Sequence, residues 1–524
     1  MMKITYDIEQ ITFHEKLAEL SARYQDKTAM IDGDMQFTYL DMLNYSDNLA
    51  SGYLEMGIKK GDHVLLQLPN TAGFVFTIFA LAKIGAIPIM GLPSLREADL
   101  KHMIQFTQPT AYIAAEHYLG YNYGQLADRL QQEYPCIKYV VFDSEKSGKQ
   151  TIQQFYRKKA DPADEAAVPV DLAFLLLSGG TTNTPKLIPR TQADYLYNAK
   201  KSAKRCRMDE QTVYLAALPV AHNFALGNAG IMGTFLSGGT AVLAKTSSPD
   251  ELLMLIAQER VTHTGMVPAV VNLLMDMLEW WDEGDLSSWK VLQVGGSVLE
   301  QSIAKRIFER LPCKLQQTFG IAEGITAMTS LDDSDEIILS TQGTLVSELD
   351  EIKIADEQGN CVPQGEYGEL LARGPYTIHG YYGSEEANAR SFTADGYYRT
   401  GDKAMITSQG NLVVSGRITE QINRAGEKIM PIELENCLCE HPLIKEASVV
   451  GVPDEMYGHQ ACAFIITEED DLDLLTVNSF LKETGLADYK RLDSLYILEA
   501  FPLTNVGKVN KKKLTEMAIA NEVN

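Results

Sequence analysis

The sequence predicts an α/β protein, a large N-terminal domain of helices packed on mostly parallel sheets followed by a small α+β domain. Three observations lead there. At 524 residues the chain is too long for one hydrophobic core. Its first two-thirds alternates helical and strand-like apolar patterns, as helices on parallel strands do. Glycine punctuation at Gly374, Gly380, Gly396, Gly401, Gly410 and Gly416 then gives way near residue 417 to a compact segment of roughly 100 residues, enough for one small domain. The expected division is 1–416 and 417–524.

In chain order, Phe13, Leu17 and Leu20 repeat at helical spacing, and the apolar segment Thr28 to Ile31 follows. A helical pattern from Leu40 to Met56 precedes the strand-like Val64, Leu65, Leu66 and Leu68. Phe74 to Lys83 predicts a helix leading into a strand at Ile87 to Met90. Beyond residue 417 the pattern predicts a helix around Glu433 to Cys439, strands at Ala447 to Val452 and Ala461 to Ile466, and a helix at Leu474 to Thr484. A lysine-rich tail, read as solvated, closes the chain.

Composition excludes several classes. With 45% hydrophobic and 22% charged residues the chain has the balance of a soluble globular protein. A net charge of -24 would repel a nucleic-acid backbone, so no nucleic-acid partner is expected. Lys83 and Pro88 interrupt the most apolar stretch, Gly73 to Pro93, so no membrane span is expected. The opening residues MMKITYDIEQITFHEK hold no apolar core of a secretory signal, which predicts a cytoplasmic protein. Seven cysteines without paired ligand spacing, Cys437 and Cys439 included, read as reduced thiols.

The segment richest in chemistry begins where an apolar strand, Leu172 to Leu177, runs into Ser178-Gly179-Gly180-Thr181-Thr182-Asn183-Thr184-Pro185-Lys186. Small residues let backbone N–H groups approach phosphate oxygens, hydroxyls add donors and lysine adds a cation. The spacing is not that of a Walker loop, and residue type alone leaves a plain flexible loop open.

SGGTTNTPKLIPR (178–190) resembles the phosphate-binding loop of the acyl-adenylate-forming superfamily of acyl-CoA synthetases, luciferases and peptide-synthetase adenylation domains. LQVGGSVLE (292–300), QQTFGIAEG (316–324), YYRTGD (397–402), GRITEQINRAGEK (416–428) and PLTNVGKVNKK (502–512) follow in that family's order and approximate spacing. Within it, Ala221-His222-Asn223-Phe224, the RGPYTIHGYY segment (373–382) and QINRAGEK (421–428) are most similar to stand-alone aryl-acid AMP ligases.

The resemblance implies two half-reactions. An aromatic carboxylate attacks the α-phosphate of ATP, with Mg2+, to give an acyl-adenylate. The acyl group then passes to the phosphopantetheine thiol of an aryl carrier protein, in siderophore or nonribosomal peptide biosynthesis. The residues match these roles chemically. Ser178, Gly179, Gly180, Thr181, Thr182 and Lys186 would cradle phosphates, and Glu323 would offer a hard carboxylate to Mg2+. Asp402 would accept from ribose hydroxyls, although an aspartate after glycine is also a common turn former. Gly295, Gly296 and Ser297 would leave a slot for the adenine, with Phe319 as stacking face and Gly320 beside it. Arg417 would reach ribose or α-phosphate.

Lys508 is implied as the catalytic lysine bridging substrate carboxylate and α-phosphate. Charge pattern alone leaves it in a solvated run with Lys511, Lys512 and Lys513, but the valines Val506 and Val509 flank it. Because it lies on the small domain, that domain is implied to be mobile, closing for adenylation and then rotating about a hinge at Thr419. Gly426, Glu427 and Lys428 would then face the incoming thiol. His222, Asn223 and Phe224 match the acid pocket, although Asn223 also reads as a helix cap after Pro219.

The chain departs from that subgroup around the acid. Asn228 stands where serine or a small residue is usual, Ile325-Thr326-Ala327-Met328 replaces L-V-N-Y, Thr344 and Leu345 replace a proline-containing turn, and Asn183 replaces a glycine. Intact nucleotide motifs beside an altered pocket predict an active enzyme with a changed acid. Free CoA as acceptor, and a non-catalytic ligand-binding protein on the same fold, stay open as alternatives. A luciferase-like oxygenase has no distinctive support.

Overall fold

A computed structural model describes residues 6–145, 147–157, 167–178, 186–281, 284–424, 427–454, 457–468, 472–484, 486–504 and 507–520. Two large sheets share one core. Among the described residues the first has nine strands, its centre formed by Lys314–Ile321, Val291–Gly295, His263–Met266, Val213–Ala216, Thr240–Leu243 and Thr28–Asp32, all parallel where paired. The second has, among the same residues, seven strands in the order Leu187–Thr191, Leu172–Leu177, Ile87–Met90, His63–Gln67, Ala111–Ala115, Tyr139–Asp143 and Gln150–Thr151, parallel except for the first pair.

Helices Phe13–Tyr24, Tyr39–Met56, Ala72–Ile84 and Gln192–Arg205 pack their apolar faces between the sheets, joining Phe13, Tyr39, Phe74, Phe76 and Tyr195 in one cluster. Three of them start on a capping box, in which a threonine oxygen and a carboxylate three residues on satisfy each other's backbone N–H: Thr12 with Glu15, Thr38 with Asp41 and Thr191 with Asp194. Helix Ala72–Ile84 is buried on nearly every side, which is why its sequence is apolar all round. No helix among the described residues is long and apolar enough to cross a membrane. The Asn70 side chain joins the sheets, donating to Ala216 O (3.1 Å) and Leu218 O (3.0 Å) and accepting from Val220 N (2.8 Å). All seven cysteines are free.

An antiparallel four-stranded sheet, Glu351–Ala355, Gly368–Arg373, Tyr398–Ile406 and Leu412–Arg417, completes the large domain. The small C-terminal domain has its own sheet (Glu427–Ile429, Ile422–Arg424, Gly458–Ile466, Glu446–Asp454, with Ser494–Ile497 beside Gly458–Ile466) and its own core of Ile422, Leu434, Val449, Phe464 and neighbours. One expectation is corrected here. The lysine-rich tail forms helix Lys511–Ala520, with Leu514 and Ala518 buried, and Lys511 Nζ lies 2.8 Å from Glu435 Oε1. Leu514 and Ala518, four apart, supply the apolar stripe that docks the helix.

Candidate active site

The candidate residues gather where loops leave the carboxyl ends of parallel strands. His222 follows Val213–Ala216, Gly296 and Ser297 follow Val291–Gly295, Glu323 follows Lys314–Ile321, and Ser178 follows Leu172–Leu177 of the other sheet. Ligands bind at this edge in open α/β sheets. Gly179, Gly180, Thr181, Thr182 and Asn183, with Gly426, lie outside the described residues. Ser178 and Lys186, on either side of the expected phosphate loop, are joined by two bonds, Ser178 N–H to Lys186 O (3.0 Å) and Lys186 N–H to Ser178 Oγ (3.1 Å).

Asp402 and Arg417 come from the antiparallel sheet, where they are register partners. Arg417 Nε lies 3.1 Å from Asp402 Oδ1. Burial pushes the Asp402 carboxyl up to about 6, against the pull of Arg417 and Thr400. Its Oδ2 is buried and has no hydrogen-bond partner among the described residues. A buried orphan acceptor costs free energy unless a ligand satisfies it, so this oxygen fits a ribose hydroxyl.

Lys508 arrives from the small domain. A Cβ placed on Gly296 would stand 3.3 Å from Lys508 Cε and 3.1 Å from Val267 Cγ1, so the glycine makes room for the lysine stem. Gly296 also has φ +90°, the left-handed region that glycine adopts without strain. Among the described residues no carboxylate lies within 4.0 Å of the Lys508 ammonium. Burial, then Arg417, lower its pKa, while Asp402 and Glu420 raise it. Burial and then Lys508 push His222 down to about 4, so its imidazole is neutral at pH 7. His222 Nδ1 accepts from Phe224 N (3.3 Å), which leaves the ring proton on Nε2.

Helix Asn223–Gly227 is capped by His222 rather than Asn223. Asn223 is freed for the pocket: Tyr195 OH donates to its Oδ1 (3.0 Å), fixing the amide so that its NH2 is the donor on offer. The Phe224 ring packs against Gly265 within the cluster of Leu215, Met266 and Val267. Asn228, Gly320 and Thr326 meet. A Cβ on Gly320 would lie 2.7 Å from Asn228 Nδ2 and 3.5 Å from Thr326 Oγ1, and Ser202 Oγ donates to Asn228 Oδ1 (3.3 Å). Phe319, on the opposite face of the same strand, leans on the cluster of Ala327, Ile354 and Leu370.

Glu323 sits in a turn between Lys314–Ile321 and Ile325–Met328. Gly324 has φ +100° there, and a Cβ would strike Tyr376 O at 1.9 Å, so that turn demands glycine. The Glu323 carbonyl accepts from Ile378 N (2.8 Å), and its carboxylate Oε1 from Tyr381 OH (2.9 Å). Among the described residues no cluster of three or more His, Cys, Asp or Glu could hold a metal. One carboxylate with nucleotide phosphates is nonetheless how Mg2+ is commonly held, so Glu323 fits that ion.

Three supports went unread in the sequence. Buried Arg190 donates to Ala322 O (3.2 Å) and to Asp194, bracing the Glu323 turn. Tyr376 OH accepts from Thr326 N (3.1 Å) and donates to Asp350. Tyr381 holds Glu323. An isolated buried arginine or tyrosine carries no pattern that a single sequence reveals.

Of the residues expected to face the thiol, the two that are described, Glu427 and Lys428, are not brought to this site. Glu427 and Lys428 lie on an exposed hairpin, where Lys428 pairs with Glu357 of the large domain. Thr419 is exposed in the short helix Ile418–Glu420 between Arg417 and Ile422, the strand ends on either side.

Fold and site together define a two-domain nucleotide-binding enzyme. Residues 17–382 match the family described as AMP-binding enzyme and 433–508 the AMP-binding enzyme C-terminal domain; the chain belongs to this family. It is similar to the 2,3-dihydroxybenzoate-AMP ligase of Bacillus subtilis, 42% identical over 506 residues (96% of this chain and 93% of that one). It is also similar to the salicyl-AMP ligase / salicyl-S-ArCP synthetase of Mycobacterium tuberculosis, 38% identical over 513 residues (96% and 90%). The apo structure of Mycobacterium smegmatis MbtA superposes with a TM-score of 0.74 at 37% identity, covering 97% of this chain and 95% of that one.

Proposed function

We propose that the chain is an ATP-dependent aryl-acid AMP ligase. It activates an aromatic carboxylic acid as its acyl-adenylate and transfers the acyl group to the phosphopantetheine thiol of a carrier protein, in siderophore or nonribosomal peptide biosynthesis. One observation carries this reading: Lys508 of the small domain lies against Gly296, near buried Asp402, which pairs with exposed Arg417 and whose Oδ2 has no partner among the described residues. A lysine between the position of a nucleotide and that of an acid suits a reaction that joins two anions.

The chemistry follows from the charges. The acid's carboxylate oxygen attacks the α-phosphorus of ATP, and the bond to pyrophosphate breaks. Both reactants are anionic, so the barrier falls when fixed cations meet the charge that develops. Lys508 supplies one cation at the point of attack and Lys186 another at the phosphates. Asp402 holds the ribose and Arg417 orients Asp402. Mg2+, held by Glu323 and the phosphates, would neutralise phosphate charge. Neutral His222 and the Asn223 NH2 are donors for the acid, and Asn228 with Thr326 bounds the far side of its ring over Gly320.

The domain division falls at 416/417, and the small domain turns about Thr419 between half-reactions. The present arrangement serves adenylation, since Lys508 lies in the site while Lys428 pairs with Glu357 outside it. The turn would bring Gly426, Glu427 and Lys428 inward for thioester formation. The names of the relatives support an aryl acid. CoA as acceptor is the second reading, because every nucleotide contact would be shared.

Pyrophosphate exchange across benzoic, hydroxybenzoic, aminobenzoic and pyridine carboxylic acids tests the function. Exchange stimulated by one hydroxy- or aminobenzoate-type acid is expected, and no exchange with any aryl acid would sink the reading. A thioester assay with CoA against a pantetheinylated carrier then assigns the acceptor.

A further inference from the structure

Through its hydroxyl and its ring, Tyr381 joins residues from three separate segments of the site. It donates to Glu323 Oε1 at 2.9 Å and lies 2.8 Å from Tyr398 OH, and the Lys186 ammonium stands over its ring, 4.6 Å from the centroid. A carboxylate only accepts, so the single Tyr381 proton goes to Glu323 and Tyr398 must donate to the Tyr381 oxygen. The result is a directed chain, Tyr398 to Tyr381 to Glu323, in which each bond polarises the next. Tyr381 is itself fixed: its backbone N–H donates to Asn388 Oδ1 (2.7 Å), and its carbonyl accepts from Asn388 Nδ2 (3.1 Å). Tyr398 lies on strand Tyr398–Ile406, which also carries Asp402.

We infer that Tyr381 is the positioning residue of the nucleotide site: its hydroxyl presents the Glu323 carboxylate to the metal, and its ring parks the Lys186 ammonium until phosphate arrives. The inference rests on the proposed adenylation reading. The hydroxyl occupies one carboxylate oxygen and leaves the other for the cation, which fixes the carboxylate's rotation. The ring offers a cation–π seat weak enough to yield to a phosphate, whereas a carboxylate partner would hold the lysine back. One residue thus prepares both charges that meet the phosphates, the anion for the metal and the cation for the oxygens.

The two functions separate by substitution. Tyr381→Phe keeps the ring and removes the donor; Tyr381→Leu removes both; Tyr398→Phe shortens the chain without touching Glu323 or Lys186. Mn2+ binding to the enzyme–ATP complex, read by electron paramagnetic resonance, reports the metal site without turnover. Displacement of a fluorescent ATP analogue in EDTA reports the metal-free phosphate site.

Tyr381→Phe should weaken Mn2+ binding about tenfold, the usual effect of losing one charge-assisted hydrogen bond, and leave metal-free ATP affinity within about twofold. Tyr381→Leu should weaken both, and Tyr398→Phe should weaken Mn2+ binding by a smaller factor of about two to three. Unchanged Mn2+ binding in Tyr381→Phe, or equal losses in both assays, overturns the inference. If the Phe variant does not fold, Tyr398→Phe decides: unchanged Mn2+ binding there counts against the chain. Wild type that binds Mn2+–ATP but exchanges no pyrophosphate would remove the function reading while the Mn2+ data still judge Tyr381. Wild type that binds no ATP would remove both.

Discussion

Asp402 and Arg417 are register partners on adjacent antiparallel strands, with Arg417 Nε 3.1 Å from Asp402 Oδ1 and Asp402 Oδ2 buried without a partner among the described residues. The pairing spends one carboxylate oxygen on orientation and keeps the other for a ligand. Burial holds the carboxyl near 6, and its ionised form is the stronger acceptor for a ribose hydroxyl at the free oxygen. A ligand that prefers the ionised form binds better as pH rises through that value. ATP affinity should therefore be flat above about pH 7 and fall by up to about tenfold per pH unit below 6. Asp402→Asn should bind ATP weakly at every pH and lose this dependence, as ATP titrations between pH 5 and 8 would reveal. A wild-type affinity that is level across that range contradicts the assignment.

Asn228 and Thr326 converge over Gly320, so the volume and polarity of Asn228 should set the acid. Compared with serine, asparagine crowds a ring 3-hydroxyl and offers an amide that can pair with a ring nitrogen, an amino group or a differently placed hydroxyl. The wild type should prefer salicylate, a hydroxypicolinate or an aminobenzoate over 2,3-dihydroxybenzoate. Asn228→Ser should move kcat/KM toward 2,3-dihydroxybenzoate by roughly tenfold to a hundredfold. A wild type already preferring 2,3-dihydroxybenzoate over every other acid would mean that the pocket has repacked around Asn228.

Gly426 should matter only after the adenylate has formed. Glu427 and Lys428, which follow it in the sequence, sit outside the nucleotide site in this arrangement. Gly426→Trp should block approach of the thiol and leave pyrophosphate exchange within about twofold. Equal loss of exchange and thioester formation would place the loop in the first step instead.

Glu300 lies at the seam between the domains, next to the Cys439 thiol and near Glu435 and Glu446. Burial pushes its carboxyl up to about 7 from 4.5, so the folded protein holds a proton there that the unfolded chain releases. Its contribution to stability is full below about 4.5 and is lost as pH rises through 7, at most about 3 kcal/mol. Glu300→Gln should flatten that slope, so that the variant's melting temperature exceeds the wild type's at pH 8 by more than at pH 5. An identical pH profile in both proteins rules out Glu300 as the source.

Much of this was legible in the sequence because local and tertiary signals agree. Phe13, Leu17 and Leu20 announce a helix at helical spacing and are buried in it, and the leucines of Leu172 to Leu177 form a strand buried between neighbours. The acid-pocket loop was legible only through motif resemblance, since nothing local in His222-Asn223-Phe224 says which of them caps a helix. The final helix was hidden because Lys511, Lys512 and Lys513 dominate its charge pattern, while Leu514 and Ala518 do the docking. Tyr381 and Arg190 were hidden for a different reason: each acts across more than fifty residues, on Glu323 and Ala322, and such contacts leave no periodicity.

The most direct measurement compares the two half-reactions of Lys508→Ala. Lys508 reaches the site from the small domain in the arrangement assigned to adenylation. Its loss should reduce pyrophosphate exchange by about 10²–10³ or more, the cost of one well-placed electrostatic contact. Thioester formation from pre-made aryl-adenylate should remain within a few-fold of wild type. Equal damage to both half-reactions, or exchange that survives without Lys508, would contradict the assignment of this site to adenylation by a lysine carried on the small domain.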